Sequence, residues 1–414
     1  MSLANGTKFS LPLFESTHVL PESSTRNFIG RQSQSILHNH GSPSRLSESS
    51  PHGEPPVSLI LGHDYFLYTT NISLGTPPQP FRAVVDLMWN DLFVPSAECS
   101  GSHCETKAYY NSSASSSFSK NNTASRLFYA PIVASGHVNN ESLTIADLVV
   151  PNQPFHELNH YDTIWPDFGH EHFDSVLGLA MDRSILETHI AQNILPSPIK
   201  RIVDEGLLDD NIFSILLPEH SGEPGDITFG GYNNEFFTGE PVSHPLFPEN
   251  TTSWQIQVTS LALGDGYSAT TDGSLPAWKG LLMSRYPILG FPQKVGSELL
   301  KHINVTHSRC FETFVVDCKS ISELPDLTIG FTGQKITLTG EDYIWRTTAP
   351  EEFCPDAVEE CVLLIVLLID ALPPVPNIPN DIIMLGSAFL KKIYGIFDWD
   401  KRTISFAHRQ HRQY

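Results

Sequence analysis

Basic residues are scarce in this chain of 414 residues. Lysine and arginine together number 25 against 46 aspartates and glutamates, which gives a net charge of -21. A surface of this sign repels phosphate backbones and anionic lipid head groups. We therefore expect neither nucleic acid nor an acidic membrane surface to be a partner.

Long hydrophobic runs are also lacking. The longest covers residues 362–369 and ends at Asp370, whereas a membrane-spanning helix needs about 20 apolar residues. We interpret this run as a buried strand and expect no membrane anchor. The first residues show no basic start followed by a continuous apolar core, so no clear signal peptide is recognisable.

Cysteine is rare, and the usual cofactor motifs are missing. The six cysteines include no C-x-x-C pair, and the chain has neither a Gly-x-Ser-x-Gly nucleophile elbow nor a phosphate-binding loop. We predict no metal and no cofactor. The even cysteine count and seven Asn-x-Ser/Thr acceptors favour a glycoprotein that is secreted or lies in the lumen of the secretory pathway or vacuole. Besides Asn5, the candidate acceptors are Asn71, Asn111, Asn121, Asn140, Asn250 and Asn304.

One pattern typical of zinc proteases does occur, in the run His156-Glu157-Leu158-Asn159-His160. That chemistry requires a helix, which places both imidazoles on one face beside the glutamate. Pro151, Pro154 and Pro166 flank this short segment in a β context. We therefore interpret the pattern as chance composition in a chain with 18 histidines.

Short β-forming runs separated by Gly, Pro and Asn predict an all-β fold from residue 63 onward. Strands are expected at 65–72, 81–85, 143–150, 212–217 and 335–338. Helices are expected only at 198–205, 293–302 and 388–392.

Composition divides the chain into a tail and two lobes. Residues 1–60 are rich in Ser, Pro and His and have no sustained apolar period, which predicts a leader, a prosegment-like segment or a disordered tail. The remainder is long enough for two cores. We predict an N-terminal β lobe at 61–240 and a C-terminal β lobe at 241–414.

Two segments about two hundred residues apart carry the most informative pattern: Gly75-Thr76-Pro77-Pro78-Gln79 followed by Asp86-Leu87-Met88, and residues 280–292. They resemble the active-site segments of pepsin-like aspartic proteases, peptidase family A1, and the first has Asp86-Leu87-Met88 where that family carries Asp-Thr-Gly. The second spans residues 280–292 and places Met283 where the family has its second aspartate. Ser284 and Arg285 then follow at the hydroxyl and glycine positions of that second motif.

The resemblance extends over residues 64–408. Tyr129 lies at the family's flap tyrosine, and segments 173–180 and 383–390 resemble the strands that cross behind the two active-site loops. The resemblance implies a bilobal pepsin-like fold with an interlobe cleft, a β-hairpin flap and a monomeric state. It also implies disulfides between Cys99 and Cys104 and between Cys318 and Cys361, which leaves Cys310 and Cys354 for a third bridge.

The catalytic pair of that family is incomplete in this chain. Peptide hydrolysis there uses two carboxylates about 3 Å apart that share one proton. Asp86 is retained, but the thioether of Met283 neither donates nor accepts that proton. Leu87 lacks the hydroxyl that links the two loops in the family, and Ser284 is the residue expected to supply such a link. Met88 and Arg285 replace glycines that leave room for water. We expect Leu87, Met88, Ser284 and Arg285 to bind the substrate or ligand, and Leu87, Met88 and Met283 to make the cleft floor apolar.

Two further hypotheses concern charge at this site. Arg285 is expected to pair with Asp86 and to lower the pKa of that carboxyl. Asp272 precedes a glycine and is the candidate for a replacement carboxylate, although residues 266–269 do not form the buried strand that must carry it.

Three functions stay open. The first is a non-catalytic homologue that binds a peptide, a protein or a small apolar ligand in its cleft. The second is an atypical endopeptidase that uses Asp86 with an unrecognised second carboxylate. The third is a secreted accessory protein, for instance in a biosynthetic pathway.

Overall fold

The computed structural model of this protein describes most of the chain from residue 67 onward and one segment before it. The described residues are 9–16, 67–100, 104, 107–129, 132–163, 173–181, 195–219, 223, 225–271, 277–308, 314–348, 359–368, 371–372, 375–376 and 379–410.

Strands dominate these residues, as the alternating β-forming runs predict. The first fourteen are β1 (Phe9–Ser16), β2 (Leu67–Leu74), β3 (Gln79–Asp86), β4 (Phe93–Ser100), β5 (Ser119–Tyr129), β6 (Ile132–Ile145), β7 (Leu148–Thr163), β8 (Ser175–Gly178), β9 (Ile212–Leu216), β10 (Gly225–Phe229), β11 (Phe237–Pro245), β12 (Gln255–Val258), β13 (Ser260–Leu263) and β14 (Tyr267–Thr270). The others are β15 (Trp278–Leu282), β16 (Leu289–Pro292), β17 (Thr306–His307), β18 (Phe314–Val316), β19 (Leu327–Phe331), β20 (Gln334–Leu338), β21 (Ile344–Thr348), β22 (Glu359–Leu363), β23 (Ile365–Leu368), β24 (Ala371–Leu372), β25 (Val375–Pro376), β26 (Ile382–Leu385), β27 (Ile393–Asp398) and β28 (Thr403–Arg409).

Three short α-helices interrupt the described strands, at the places that the sequence predicts. They are α1 (Pro198–Asp204), α2 (Gln293–Leu300) and α3 (Ser387–Leu390). The first begins where the Ser197 hydroxyl accepts a hydrogen bond from the Lys200 amide and where proline occupies the first turn. The all-β prediction is confirmed.

A 13-stranded sheet runs through the molecule. Its main path follows β11-β28-β27-β9-β10-β1-β2-β6-β7-β4, with β3, β5 and β8 attached beside it. A separate five-stranded sheet follows β12-β15-β26-β16-β23 in the C-terminal half. The ends of β3 and β15 carry the two loops that the resemblance identifies as the active site.

Three expectations need correction. The expected strand at 143–150 is a hairpin, because Ile145 pairs with Leu148 across a two-residue turn in which Ala146 has φ 51°. No glycine or asparagine marks this turn, so the apolar pattern runs through it unbroken. The described part of the run at 362–369, residues 362–368, falls in two strands, β22 and β23, because Leu364 between them donates its amide to the Tyr343 carbonyl.

The third difference concerns the tail. A disordered tail does not describe Phe9–Ser16, which forms β1 and pairs antiparallel with both β10 and β2. Backbone groups of those two strands need partners whatever the side chains are, and a hydrophobic period is therefore not required. The leader or prosegment-like character of residues 1–60 stays a prediction.

Two disulfides are present among the described residues. Cys99 pairs with Cys104, and Cys318 pairs with Cys361, which confirms both pairings implied by the family resemblance. Cys310 and Cys354 lie outside the described residues. In the described part of the chain, no helix is long and apolar enough to cross a membrane.

Candidate functional site

Asp86 stands at the end of β3, where the chain turns beneath β8. The two strands are parallel, and Asp86 pairs with Gly178. A Cβ on that glycine would lie 2.4 Å from the carbonyl oxygen of Trp89, so only glycine permits the loop after Asp86 to pass so close. This crossing fixes the position of the carboxyl.

The second loop is built in the same way at the end of β15. Leu282 pairs in parallel with Leu385, and the Met283 amide donates to the Leu385 carbonyl at 3.0 Å. Gly386 then donates its amide to the carbonyl of Ile288 at 3.0 Å. Met283 is therefore held at the second crossing as Asp86 is at the first, and its side chain is buried.

One hydroxyl joins the two loops. Ser284 accepts a hydrogen bond from the Leu87 amide at 3.1 Å and donates one to the Val85 carbonyl at 2.7 Å, and it is fully buried. Leu87, at the corresponding position of the first loop, has no hydroxyl that could form a reciprocal hydrogen bond with the second loop. The connection expected of Ser284 is present, and it aligns the second loop against Asp86.

We expect Ser284→Ala to lower the free energy of unfolding by about 1–3 kcal/mol, because it leaves a buried amide and a buried carbonyl without their partner. Chemical denaturation measures the change. Ser387→Ala is the matched control, since Ser387 is equally buried but its hydroxyl has no hydrogen-bond partner among the described residues. Equal losses in the two variants would contradict the role given to Ser284.

The Asp86 carboxyl is buried and receives several hydrogen bonds. Met88 donates its amide to one oxygen at 2.9 Å, and the phenol of Tyr129 donates to the other at 3.0 Å. Only 4% of Asp86 is exposed. A carboxyl in this setting is not open to bulk water.

Tyr129 and Arg285 lie against each other above this carboxyl. Tyr129 ends β5, and its pairing with Ile132 closes the β5–β6 hairpin at the position expected for the flap. The guanidinium carbon of Arg285 is 3.5 Å from the centroid of the Tyr129 ring, the geometry of a cation–π contact. Both residues are buried, so Arg285 does not point into solvent.

The direction expected for the shift of the Asp86 pKa is wrong. Burial raises the pKa of Asp86 above its usual value, and the nearby positive charge of Arg285, together with the hydrogen bonds to the carboxyl, only opposes this rise. Desolvation favours the neutral acid, and it outweighs the attraction to one cation. The sequence indicates Arg285 as a neighbour but not how deeply the carboxyl is buried.

We expect Arg285→Met to raise the pKa of Asp86 further, because the charge that favours the carboxylate is lost. A folded-state pKa above the unfolded value means that stability is fully present below the unfolded pKa of about 3.9 and is lost as pH rises toward the folded pKa. The variant should continue losing stability to a higher pH than the wild type. Denaturation midpoints measured between about pH 3 and 8 test this.

Its control is the same substitution made in an Asp86→Asn background, where residue 86 no longer titrates. There the pH dependence of stability should be the same with and without the Arg285→Met substitution. A difference that persists in this background would assign the effect to another group.

Trp89 is a part of the site for which the sequence indicated no role. The centroid of its ring lies 4.8 Å from that of Tyr129, at an interplanar angle of 70°. Phe93 and Phe173 also contact the Tyr129 ring edge-on, with centroid distances of 5.7 and 6.4 Å. The only signal was a bulky aromatic three residues after the aspartate. Together these rings surround the ring of Tyr129, whose hydroxyl donates to the carboxyl.

The zinc-protease pattern lies on a strand, β7, and not on a helix. His156 is buried and its Nε2 lies 3.1 Å from Asp91, whose other oxygen accepts the Leu195 amide at 2.7 Å. His160 is exposed. Among the described residues no group of three or more potential ligands is gathered for a metal ion.

Asp272 lies outside the described residues, but the strand before it is described. That strand, β14, belongs to a four-stranded sheet with β13, β19 and β20, whereas Met283 follows β15 in the five-stranded sheet.

Of the six candidate glycan acceptors after residue 67, five are exposed and Asn140 is half-buried. They stay predictions.

A cavity of about 420 Å³ lies beside the second loop. Pro287, Trp345 and Leu364 contribute apolar lining, and neither Asp86 nor Met283 belongs to its wall. The ionic groups at its edge include Lys392, which pairs with Asp342 at 3.0 Å. This cavity does not contain the retained carboxyl.

The fold and the two crossed loops define the class of protein. The sequence profile described as eukaryotic aspartyl protease matches residues 67–409, and the chain belongs to this pepsin-like family. It is 30% identical to vacuolar protease A of Neurospora crassa over 352 residues, which is 85% of this chain and 80% of that protein. It is 29% identical to the vacuolar aspartic protease of Candida albicans over 357 residues, 86% of this chain and 77% of the relative. With cathepsin D of Chionodraco hamatus it shares 28% identity over 383 residues, covering 91% of this chain and 90% of the relative.

Proposed function

We propose that this member of the aspartic protease family does not hydrolyse peptides and uses its interlobe cleft to bind one. The observation that carries the proposal is Met283. The hydrogen bond from its backbone amide to the Leu385 carbonyl and the Ser284 link to the first loop support its pairing with Asp86, and its side chain has no proton to share. A lone carboxyl does not form the acid and base pair that the reaction requires.

The environment of Asp86 supports the same proposal. Its carboxyl is buried under Tyr129, and Arg285 occupies the position of a family glycine. An attacking water needs space beside the carboxyl, and these side chains fill it. Leu87 and Met283, which are buried, and the partly buried Met88 make the layer beneath the cleft apolar, which suits a peptide side chain or a small apolar ligand.

The proposed setting is lumenal. Its relatives include proteins named as vacuolar proteases, and disulfides form and persist in oxidising compartments. Glycans on the exposed acceptors and a monomeric state belong to this proposal.

The experiment combines an activity assay and a binding assay on one sample. Unfolded casein is incubated with the protein from about pH 3 to 7, the range in which paired carboxylates titrate, beside an Asp86→Ala variant and a statine-type inhibitor. We expect no cleavage above the Asp86→Ala level. In parallel, calorimetry with denatured casein fragments should detect binding.

Cleavage that disappears in Asp86→Ala would overturn the proposal and favour the atypical endopeptidase, with Asp272 the next residue to replace. A folded sample that neither cleaves nor binds would favour the accessory protein, in which the cleft has no ligand. The three functions are thereby separated.

A further inference from the structure

The space around the ring of Tyr129 is a built pocket. A guanidinium covers its face, with the Arg285 carbon 3.5 Å from the centroid. Trp89, Phe93 and Phe173 contact it edge-on. The pocket also offers a hydrogen-bond acceptor, because the phenol donates to Asp86 at 3.0 Å.

None of these walls belongs to the hairpin that carries Tyr129. Asp86, Trp89 and Phe93 come from the first loop and the start of β4, Phe173 precedes β8, and Arg285 follows β15. β3, β4 and β8 are held in the large sheet by pairings that do not involve β5, and β15 lies in the five-stranded sheet. If the hairpin moves, its ring leaves and the walls keep their arrangement.

The chemistry of the walls specifies what fits. A planar cation attracts the face of an aromatic ring, aromatic edges favour a second ring at their side, and a buried carboxyl requires a donor. A phenol satisfies all three, whereas a benzyl ring satisfies two and leaves an oxygen of Asp86 without its donor.

We propose that Asp86, Trp89, Phe93, Phe173 and Arg285 form a phenol-binding pocket, that Tyr129 fills it as an internal ligand, and that the peptide taken by the cleft inserts a tyrosine side chain there. This rests on the proposed binding function. Arg285 distinguishes this pocket from the family pattern, which has glycine at that position.

An internal ligand weakens the binding of an external one. The apparent affinity is reduced by the fraction of molecules in which the pocket is free. Removing the phenol oxygen or the ring of Tyr129 should therefore strengthen binding of a free phenol in steps.

The test titrates p-cresol, the side chain of tyrosine, into full-length wild type, Tyr129→Phe and Tyr129→Ala, with calorimetry as the readout. The affinity should rise in that order, by at least about tenfold from wild type to Tyr129→Ala. Toluene, which lacks the hydroxyl, should bind Tyr129→Ala at least about tenfold more weakly than p-cresol. Equal affinity of the three proteins for p-cresol would overturn the proposal, and so would equal affinity of Tyr129→Ala for the two probes.

Two controls keep the result specific. Phe389→Ala opens a buried aromatic site whose neighbours are Phe331 and Phe406, and it should show no preference for p-cresol. In Tyr129→Ala with Asp86→Ala the preference should disappear. If Tyr129→Ala does not fold, the comparison of wild type with Tyr129→Phe, which retains the ring, decides the matter.

The ligand class is tested on the wild type with two capped tripeptides, Ala-Tyr-Ala and Ala-Phe-Ala. We expect the tyrosine peptide to bind at least about tenfold more tightly. Equal affinities would overturn the tyrosine assignment although the cleft binds peptides. Cleavage of either peptide would instead overturn the proposed function, and the p-cresol series would still report on the pocket.

Discussion

Replacing four side chains should give this protein acid protease activity. The variant carries Leu87→Thr, Met88→Gly, Met283→Asp and Arg285→Gly, which restores both motifs of the family. β8 already pairs with β3, and β26 with β15, beside the two loops. The four changes therefore alter side chains without requiring a new backbone arrangement. Paired carboxylates contribute typically 10²–10⁴ in rate through acid–base catalysis, and we expect casein cleavage at least about 100-fold above the wild-type level near pH 4.

Met283→Asp alone should remain inactive. The new carboxyl would lie beside Asp86 with Arg285 still in the site, and the charge of Arg285 opposes protonation of either acid. Arg285 and the ring of Tyr129 would also still occupy the space that the substrate and its water need.

The control for the fourfold variant is Asp86→Asn in the same background, which should abolish the gain. A fourfold variant that folds, binds the statine inhibitor and still cleaves nothing would show that the resemblance places Met283 incorrectly. Wild-type cleavage equal to that of the fourfold variant would show that Met283 does not prevent hydrolysis.

Gly386→Ala should prevent folding or cost more than about 3 kcal/mol in the free energy of unfolding. A Cβ there would lie 2.3 Å from the carbonyl oxygens of both Tyr286 and Ile288, and backbone atoms cannot rotate away as a side chain does. The φ of Gly386 is -75°, a value that alanine adopts freely. The whole effect is therefore steric.

Gly333→Ala separates this clash from backbone strain. Gly333 has φ +78° and nothing within 4 Å of the added carbon, so the substitution should cost only about 1–2 kcal/mol. Urea denaturation of both variants gives the comparison. A cost for Gly386→Ala no greater than that for Gly333→Ala would contradict the close packing of Gly386 against the carbonyls of Tyr286 and Ile288.

How far the sequence predicts this protein depends on the kind of information each residue carries. The crossings at Gly178 and Gly386 were predictable, because a short apolar-apolar-Gly pattern recurs in order and at matching separation. Ser284 was predictable as a link between the loops, because the family motif that the segment resembles carries a linking hydroxyl at that position. Such features are local in the chain and leave a local trace.

Burial and side-chain packing were not predictable in this way. The stacking of Arg285 on Tyr129 joins residues 156 positions apart in the sequence, and neither residue type indicates the other. The pKa of Asp86 depends on how completely Trp89 and its neighbours exclude water, which no spacing reveals. The turn at Ala146 was missed because its residues are unusual for a hairpin, and the hydrogen bonds of β6 and β7 impose the conformation.

Strand β1 has a consequence for how the large sheet holds together. In the described topology it is the one strand that connects β10 to β2. A chain cut after Ser16 and stripped of this strand would divide the sheet into a five-stranded part ending at β10 and a seven-stranded part beginning at β2. Residues 9–13 pair with β10 and residues 14–16 pair with β2, so the two exposed edges would be offset along the lost strand, each with unpaired backbone groups. The two parts of the large sheet are thus joined through the backbone of eight residues near the start of the chain.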